Sequence, residues 1–236
     1  MSTDRVTFSF FRYPLGYSPA AFLFMGFRRL FIGPDVPAGD IRLMGCGGGD
    51  GFSILPDPRT YCLLSGLPDA ADDQRLRQSR FYRRIAGPSE AQLHIELRPI
   101  SGHGTWAGRE PFEYSGERAT DGPVAVLTHA RVRRNRVRSF WSAVPAIRQH
   151  LHQVPGCWFH IGFGETPLRT LATFTLWQDT EQMRAFAYHK SPHHRTLRAA
   201  RQQDWLSESI FVRFRVVNVT GDLSAWSPHL AAGAAA

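Results

Sequence analysis

Apolar positions alternate with period two over several short stretches, and the stretches between them follow a helical period. VTFSFF (6–11) sets Val6, Phe8 and Phe10 on one face and reads as a strand. Residues Ser18 to Phe31 place Ala21, Phe24, Phe27, Leu30 and Phe31 at helical spacing, with Ser18-Pro19 as cap and first turn. Strands follow at 41–46 and 59–67. Asp69 then opens a polar helix to about Ile85, ended by Gly87-Pro88, and 91–100 returns as a strand. The second half repeats this order. A strand at 123–133 leads to a helix that Asn135 caps and that runs to about His152. Strands at 157–164 and 169–177, a helix from Asp179 to about Tyr188, a short helix from Ser191-Pro192 and a strand at 209–219 complete it.

The repeat extends to single residues. Arg59-Thr60 and Arg169-Thr170 each begin a strand, and Asp69 and Asp179 each open the helix after it. A β-α-β-β-α-β order written twice predicts an α+β chain of two ferredoxin-like halves, packed as a pseudo-dimeric α/β barrel. The expected division is 1–115 for the N-terminal half, 120–220 for the C-terminal half and 221–236 as a mobile tail. In each half such an arrangement leaves space between sheet and helices.

Composition narrows the class. The chain has 236 residues, 43% of them hydrophobic and 20% charged, enough to build a core. No apolar run is long enough to span a membrane, and the N-terminus lacks a signal-peptide layout, so the expected location is the cytosol. The formal charge is +8, yet 27 of the 28 basic residues are Arg, Lys190 being the one lysine. That bias points to a GC-rich genome before it points to nucleic acid. The dense run Arg131, Arg133, Arg134, Arg136 and Arg138 has no aromatic stacking platform beside it, so no nucleic-acid partner is expected. A basic face toward anionic lipid or toward an acidic electron-donor protein fits equally well. Phe22 and Met25 lie off the core stripe of the 18–31 helix, with Arg28 and Arg29 near its end; peripheral membrane contact, or packing within the protein or in a homo-oligomer, would use them. Cys46, Cys62 and Cys157 form no CxxC pair, which argues against a zinc ribbon, an iron–sulfur cluster or a disulfide framework.

Several chemistries lack their motifs. GCGGGDG (45–51) fits neither a dinucleotide fingerprint nor a P-loop, and no nucleophile elbow or H-E-x-x-H occurs. Histidine is the informative residue that remains. His189, His193 and His194 fall together, and Ser191-Pro192 place the last two in the first turn of a short helix. Adjacent helical side chains diverge by about 100°, so one of these two at most faces a cavity. That imidazole is either a metal ligand or an ordinary helix-start histidine. A haem needs one protein ligand and a large apolar pocket, and 17 Phe and 6 Trp supply the latter. SGHGTWAGREPF (101–112) lies between the halves and offers His103, Trp106, Arg109 and Phe112; Arg109 has the fork that suits a carboxylate, though the segment also reads as a plain linker.

With those residues in view, the chain resembles the spheroidene monooxygenase family of carotenoid-oxygenating enzymes. The resemblance runs through VTFSFFR, RLMGCGGGDGF, SGHGTWAGREPF, GPVAVLTHARVR with VRSFWSAVP, and TFTLWQDTEQMRAFA with PHHRTLRAARQQDWLSESIFVRFRV. It implies a monooxygenase of the dimeric α/β barrel type that holds haem b, draws electrons from a ferredoxin-type donor, uses O₂ and acts on an apolar acyclic carotenoid. The family's Pro-His pair falls on Pro192-His193, which makes His193 the implied iron ligand, with His189 and His194 crowding the same place. In that reading His103 and Trp106 are the candidate catalytic residues, Trp106 and Phe112 wall the pocket and Arg109 anchors a haem propionate. His103 departs from the family pattern, which bears on substrate identity. Aldoxime dehydration or nitrogen oxidation by haem on the same scaffold, non-catalytic haem binding, and a cofactor-free monooxygenase of the small ferredoxin-like barrel type are the alternative functions.

Overall fold

Eight antiparallel strands close into a barrel in the computed structural model, which describes residues 3–49, 52–117, 122–154, 156–166, 168–188, 196, 198–200, 202–221, 223 and 226. The strands are β1 (Val6–Arg12), β2 (Asp40–Gly47), β3 (Pro56–Gly66), β4 (Ala91–Gly104), β5 (Val124–Val132), β6 (Cys157–Thr166), β7 (Thr170–Trp177) and β8 (Leu206–Gly221). The labelled helices are α1 (Ser18–Gly26), α2 (Ala70–Gln78), α3 (Arg80–Ala86), α4 (Val137–Gln153) and α5 (Thr180–Tyr188). Around the barrel the order is β1-β3-β2-β6-β7-β5-β8-β4. Each half therefore supplies four strands in the spatial order 4-1-3-2 of a ferredoxin-like unit, as the repeat predicts. The halves meet where β2 pairs with β6 and where β4 pairs with β8.

Period-two alternation decides which side chains enter the barrel. Val6, Phe8 and Phe10 of β1 point in, and Phe159, Phe163, Phe174 and Phe214 meet them from the other half. Phe8 and Phe174 lie 4.7 Å apart between ring centroids. The barrel interior is thus a packed aromatic core and not a channel. Trp106 closes one end and Trp226 the other, where the Arg12 guanidinium lies 4.8 Å from the Trp226 ring. Trp226 falls in the stretch expected to be a mobile tail, but it is 8% exposed because its ring fills the barrel opening beside Phe10.

Outward-facing residues pack under the helices. Phe11, Leu43, Tyr61 and Leu63 form a buried layer with Phe81, Tyr82 and Ile85 of α3 and Ala21 of α1. Both predicted aspartate caps are present: Asp69 accepts from the Asp72 N–H at 2.8 Å, and Asp179 accepts from the Gln182 N–H at 2.8 Å. Three local readings differ. The helix expected over 69–85 is two helices, because Ser79 leaves helical geometry, donates to the Leu76 carbonyl and accepts from the Tyr82 N–H as the cap of α3. Asn135 does not cap α4; it lies in a 3₁₀ turn at Arg134–Arg136, and α4 starts at Val137. α1 stops at Gly26, and the tighter 3₁₀ turn at Arg28–Leu30 rotates Phe27 and Leu30 outward while Met25 packs inward. Among the described residues no helix is long and apolar enough to cross a membrane.

Candidate functional site

The two outer layers are not equivalent. In the N-terminal half, aromatic and aliphatic side chains fill the space between sheet and helices. In the C-terminal half the strands align small residues instead. Reading the register across the sheet gives one row: Gly162 opposite Thr173, Thr173 opposite Thr128, Thr128 opposite Phe211, and Phe211 opposite His103. The next row joins Gly164, Leu171, Ala130 and Ser209. Inward residues alternate with these, Leu127, His129, Ala172 and Phe174 among them, so both rows face the helices.

Over this floor lies α4. Its apolar positions Val137, Phe140, Trp141, Val144, Ile147 and Leu151 recur at helical spacing, yet of these only Val144 and Leu151 are fully buried. Near its C-terminal end Leu151 joins Val124, Val126, Trp177, Met183 and Phe186 in a closed cluster. Toward its N-terminal end Phe140 and Trp141 are half-buried and edge-on to each other at 5.9 Å, and Trp141 Nε1 donates to the Leu168 carbonyl between β6 and β7 at 3.1 Å. The outward Gly162, Thr173, Thr128 and Ala130 make a shelf of small side chains on this face. Arg213, next but one to Phe211 on the same face of β8, brings a guanidinium to that side. Among the described residues no group of three or more His, Cys, Asp or Glu side chains could hold a metal ion. A haem, held by one axial side chain, needs no such group.

The structure separates the residues that the 101–112 segment suggested. Ser101 to Gly104 continue β4, so this part is strand and not linker. His103 sits at the end of the small-residue row, exposed, its ring stacked on Phe211 at 5.7 Å and 27°. Trp106 and Phe112 are instead inside the barrel, Phe112 edge-on to Phe214 at 5.6 Å. Arg109 lies near that barrel end, with Nη2 3.5 Å from the buried Asp40 carboxylate. His103 therefore borders the shelf while Trp106, Arg109 and Phe112 do not. His189, His193 and His194 lie outside the described residues. The start of the short helix expected from Ser191-Pro192 lies outside them too; among the described residues α5 packs on Trp177, and the Trp205 carbonyl accepts from the Arg133 N–H at 2.9 Å.

The turn that carries Trp106 is built for its purpose. Ala107 and Gly108 both have positive φ, at 57° and 77°, so the chain reverses sharply and the Trp106 N–H donates to the Arg109 carbonyl. Glu208 holds the turn, accepting from the Gly108 N–H at 2.6 Å and from Thr105 Oγ1 at 3.1 Å. Burial opposes charge on Glu208, but these hydrogen bonds and Arg131 outweigh it and keep the carboxyl below its ordinary range. Trp106 then stacks on His129 at 4.3 Å and 12°, with the Arg42 guanidinium 4.5 Å from its ring. Asp40 takes Arg42 bidentately at 2.8 and 3.1 Å, and Glu165 takes its Nη1 at 3.0 Å. His129 has no protein partner at either ring nitrogen. Its burial, above all, pushes its pKa down to about 4, with Glu208 raising it and Arg42 and Arg131 lowering it. From the sequence, His129 stands only as a possible polar group, beside His103 and His160, for a small polar substrate; nothing in the sequence marks Thr128 or Thr173, because their meaning lies in cross-strand register.

The arginine run is partly engaged: Arg131 faces Glu208 at 3.4 Å and Arg133 faces Asp204 at 3.1 Å, while Arg134 and Arg138 are exposed. Cys46 and Cys62 are free, buried thiols whose pKa burial raises.

No family model matches the chain. Spheroidene monooxygenase of Rhodobacter capsulatus is 34% identical over 183 residues, covering 76% of this chain and 76% of that protein. Spheroidene monooxygenase of Rubrivivax gelatinosus is 30% identical over 210 residues, covering 86% and 80%. Among solved structures, an aldoxime dehydratase in complex with butyraldoxime superposes with a TM-score of 0.59 at 12% identity, covering 92% of this chain and 82% of that one. That is a likeness of fold.

Proposed function

Because the chain belongs to the spheroidene monooxygenase family, we propose that it inserts oxygen from O₂ into a C–H bond of an acyclic carotenoid of the spheroidene type, using haem b. The observation that supports the site is the difference between the outer faces: the N-terminal one packs Phe11, Leu43, Tyr61 and Leu63 under its helices, and the C-terminal one presents the small side chains of Gly162, Thr173, Thr128 and Ala130. Haem would supply O₂ activation there, a chemistry that no side chain of this protein offers. His193, in the Pro192-His193 pair that the family resemblance marks, is the residue that would hold the iron.

The remaining roles follow from placement. Phe140 and Trp141 would keep water from the shelf and press an apolar polyene against it. His103, the imidazole in the shelf row, is exposed at its edge and is suited to pass protons from solvent. Arg213, on the shelf face of β8, is the side chain proposed to meet haem carboxylates, while Arg109 lies toward Asp40. An acidic ferredoxin-type donor would find exposed arginines, Arg134 and Arg138, at the start of α4. Trp106 and Phe112 take part by holding the barrel closed.

An absorption spectrum of the protein from haem-replete cells, with a His193→Ala variant beside it, tests this reading. The expected result is an intense Soret band that the variant loses or shifts. No band, even after hemin is added, would overturn the haem assignment. A band that the variant leaves unchanged would overturn His193 as ligand and direct attention to His189 and His194. Turnover is then assayed with an acyclic carotenoid and a ferredoxin system.

A further inference from the structure

The outer surface of the N-terminal half carries an apolar patch that nothing among the described residues covers. Leu15 is 70% exposed, Phe22 59%, Leu23 57%, Phe27 58% and Leu30 80%, all within one short stretch of chain. Monomer surfaces rarely gather side chains this large and this exposed in one place without a partner. The cause is local geometry. α1 spends its buried face on Ser18 and Ala21, and the 3₁₀ turn after Gly26 then swings Phe27 and Leu30 away from the core.

Charge identifies the partner. Residues 5–34 contain no acidic side chain, whereas Arg28 and Arg29 sit inside the patch sequence. Arg84 of α3 borders it, its guanidinium 5.2 Å from the Phe31 ring. An exposed apolar surface with a cationic margin matches the interfacial region of a bilayer, where apolar side chains enter the acyl boundary and arginines meet phosphates. A second copy of the chain fits less well. A symmetric contact would bring the two sets of arginines together, with no carboxylate in this stretch to pair them.

We infer that the segment from Leu15 to Ile32 is a docking surface for an anionic lipid bilayer. Phe22, Leu23, Phe27 and Leu30 enter the membrane, and Arg28, Arg29 and Arg84 bind headgroup phosphates. This inference is independent of the oxygenation reading, since adsorption to lipid requires neither haem nor turnover. Joined to it, the surface sets where an apolar substrate is collected.

Flotation of the full-length protein with vesicles tests it, comparing phosphatidylcholine alone with an equimolar mixture of phosphatidylcholine and phosphatidylglycerol at low and high salt. The wild type should float with the anionic vesicles and lose most of that binding at high salt. R28Q/R29Q and, separately, F22S/F27S/L30S should each weaken binding by roughly tenfold or more. These positions are exposed, and an unchanged thermal melt shows that each variant folds. A wild type that does not bind anionic vesicles at low salt overturns the inference. So does binding that the apolar variant leaves intact, which would be general adhesion of a basic protein. A wild-type dimer that F22S/F27S/L30S dissociates would assign the patch to a second copy instead. Loss of the Soret band with flotation intact would fault the haem reading alone.

Discussion

His129 is 1% exposed and has no protein partner at either nitrogen, an arrangement that tolerates only the neutral ring. Its face lies against Trp106, so the site supplies dispersion in place of hydrogen bonds. The consequence is a pH-dependent fold. Burial holds the folded pKa near 4, against about 6.5 for an ordinary histidine. Between those values the unfolded chain binds a proton that the folded chain refuses. The stability is therefore complete above the unfolded pKa and is lost progressively as pH falls toward the folded one. The full effect is about 3 kcal/mol. His94 adds to it in the same direction, its pKa also pushed down to about 4, chiefly by burial. Urea unfolding at about pH 7 and about pH 5 should show wild-type stability falling with acid, and a His129→Leu variant should fall less steeply. Equal slopes would mean that the folded state protonates His129 as readily as water does.

At the scale of elements, the strands were the most legible part of the chain. Val6, Phe8 and Phe10 write their alternation plainly, and the aspartates at 69 and 179 mark equivalent helices. Helix ends were less so. Ser79 looks like any helical serine until its hydroxyl is seen capping a second helix, and Phe27 follows helical spacing although the backbone has already tightened. The shelf could not be read at all from one stretch of chain, because Gly162, Thr173 and Thr128 become neighbours only through the register of β5, β6 and β7. Trp106 and His103 show the converse: three residues apart in sequence, they face opposite sides of the barrel wall. The shelf leads to a direct prediction. Thr128→Phe places a ring where a flat group would lie, so hemin affinity should drop by roughly tenfold or more while the thermal melt stays near wild type. A hemin titration followed at the Soret band checks this. An unchanged affinity would move the site off the β5–β7 face.

At the scale of the whole molecule, the closed barrel joins its halves through two unequal seams. β4 and β8 pair from Leu93 to Gly104, whereas β2 and β6 pair only through Gly45 and Cys46. Opening should start at the short seam, and amide exchange should be faster there than along β4 and β8. Each half keeps its inner apolar face, with Phe8 and Phe10 in one and Phe159, Phe174 and Phe214 in the other, covered only by its counterpart. Neither half is then a finished fold, yet together they need no shared strand. The chain has the makings of a split protein. Cut between Glu117 and Gly122, the two fragments should reassemble when co-expressed, and each expressed alone should aggregate through its bare sheet face. Co-purification of the untagged fragment with the tagged one reads this out. What the peptide link contributes is an effective concentration of about millimolar between two complementary surfaces. The fold is in that sense a heterodimer that happens to be translated as one chain.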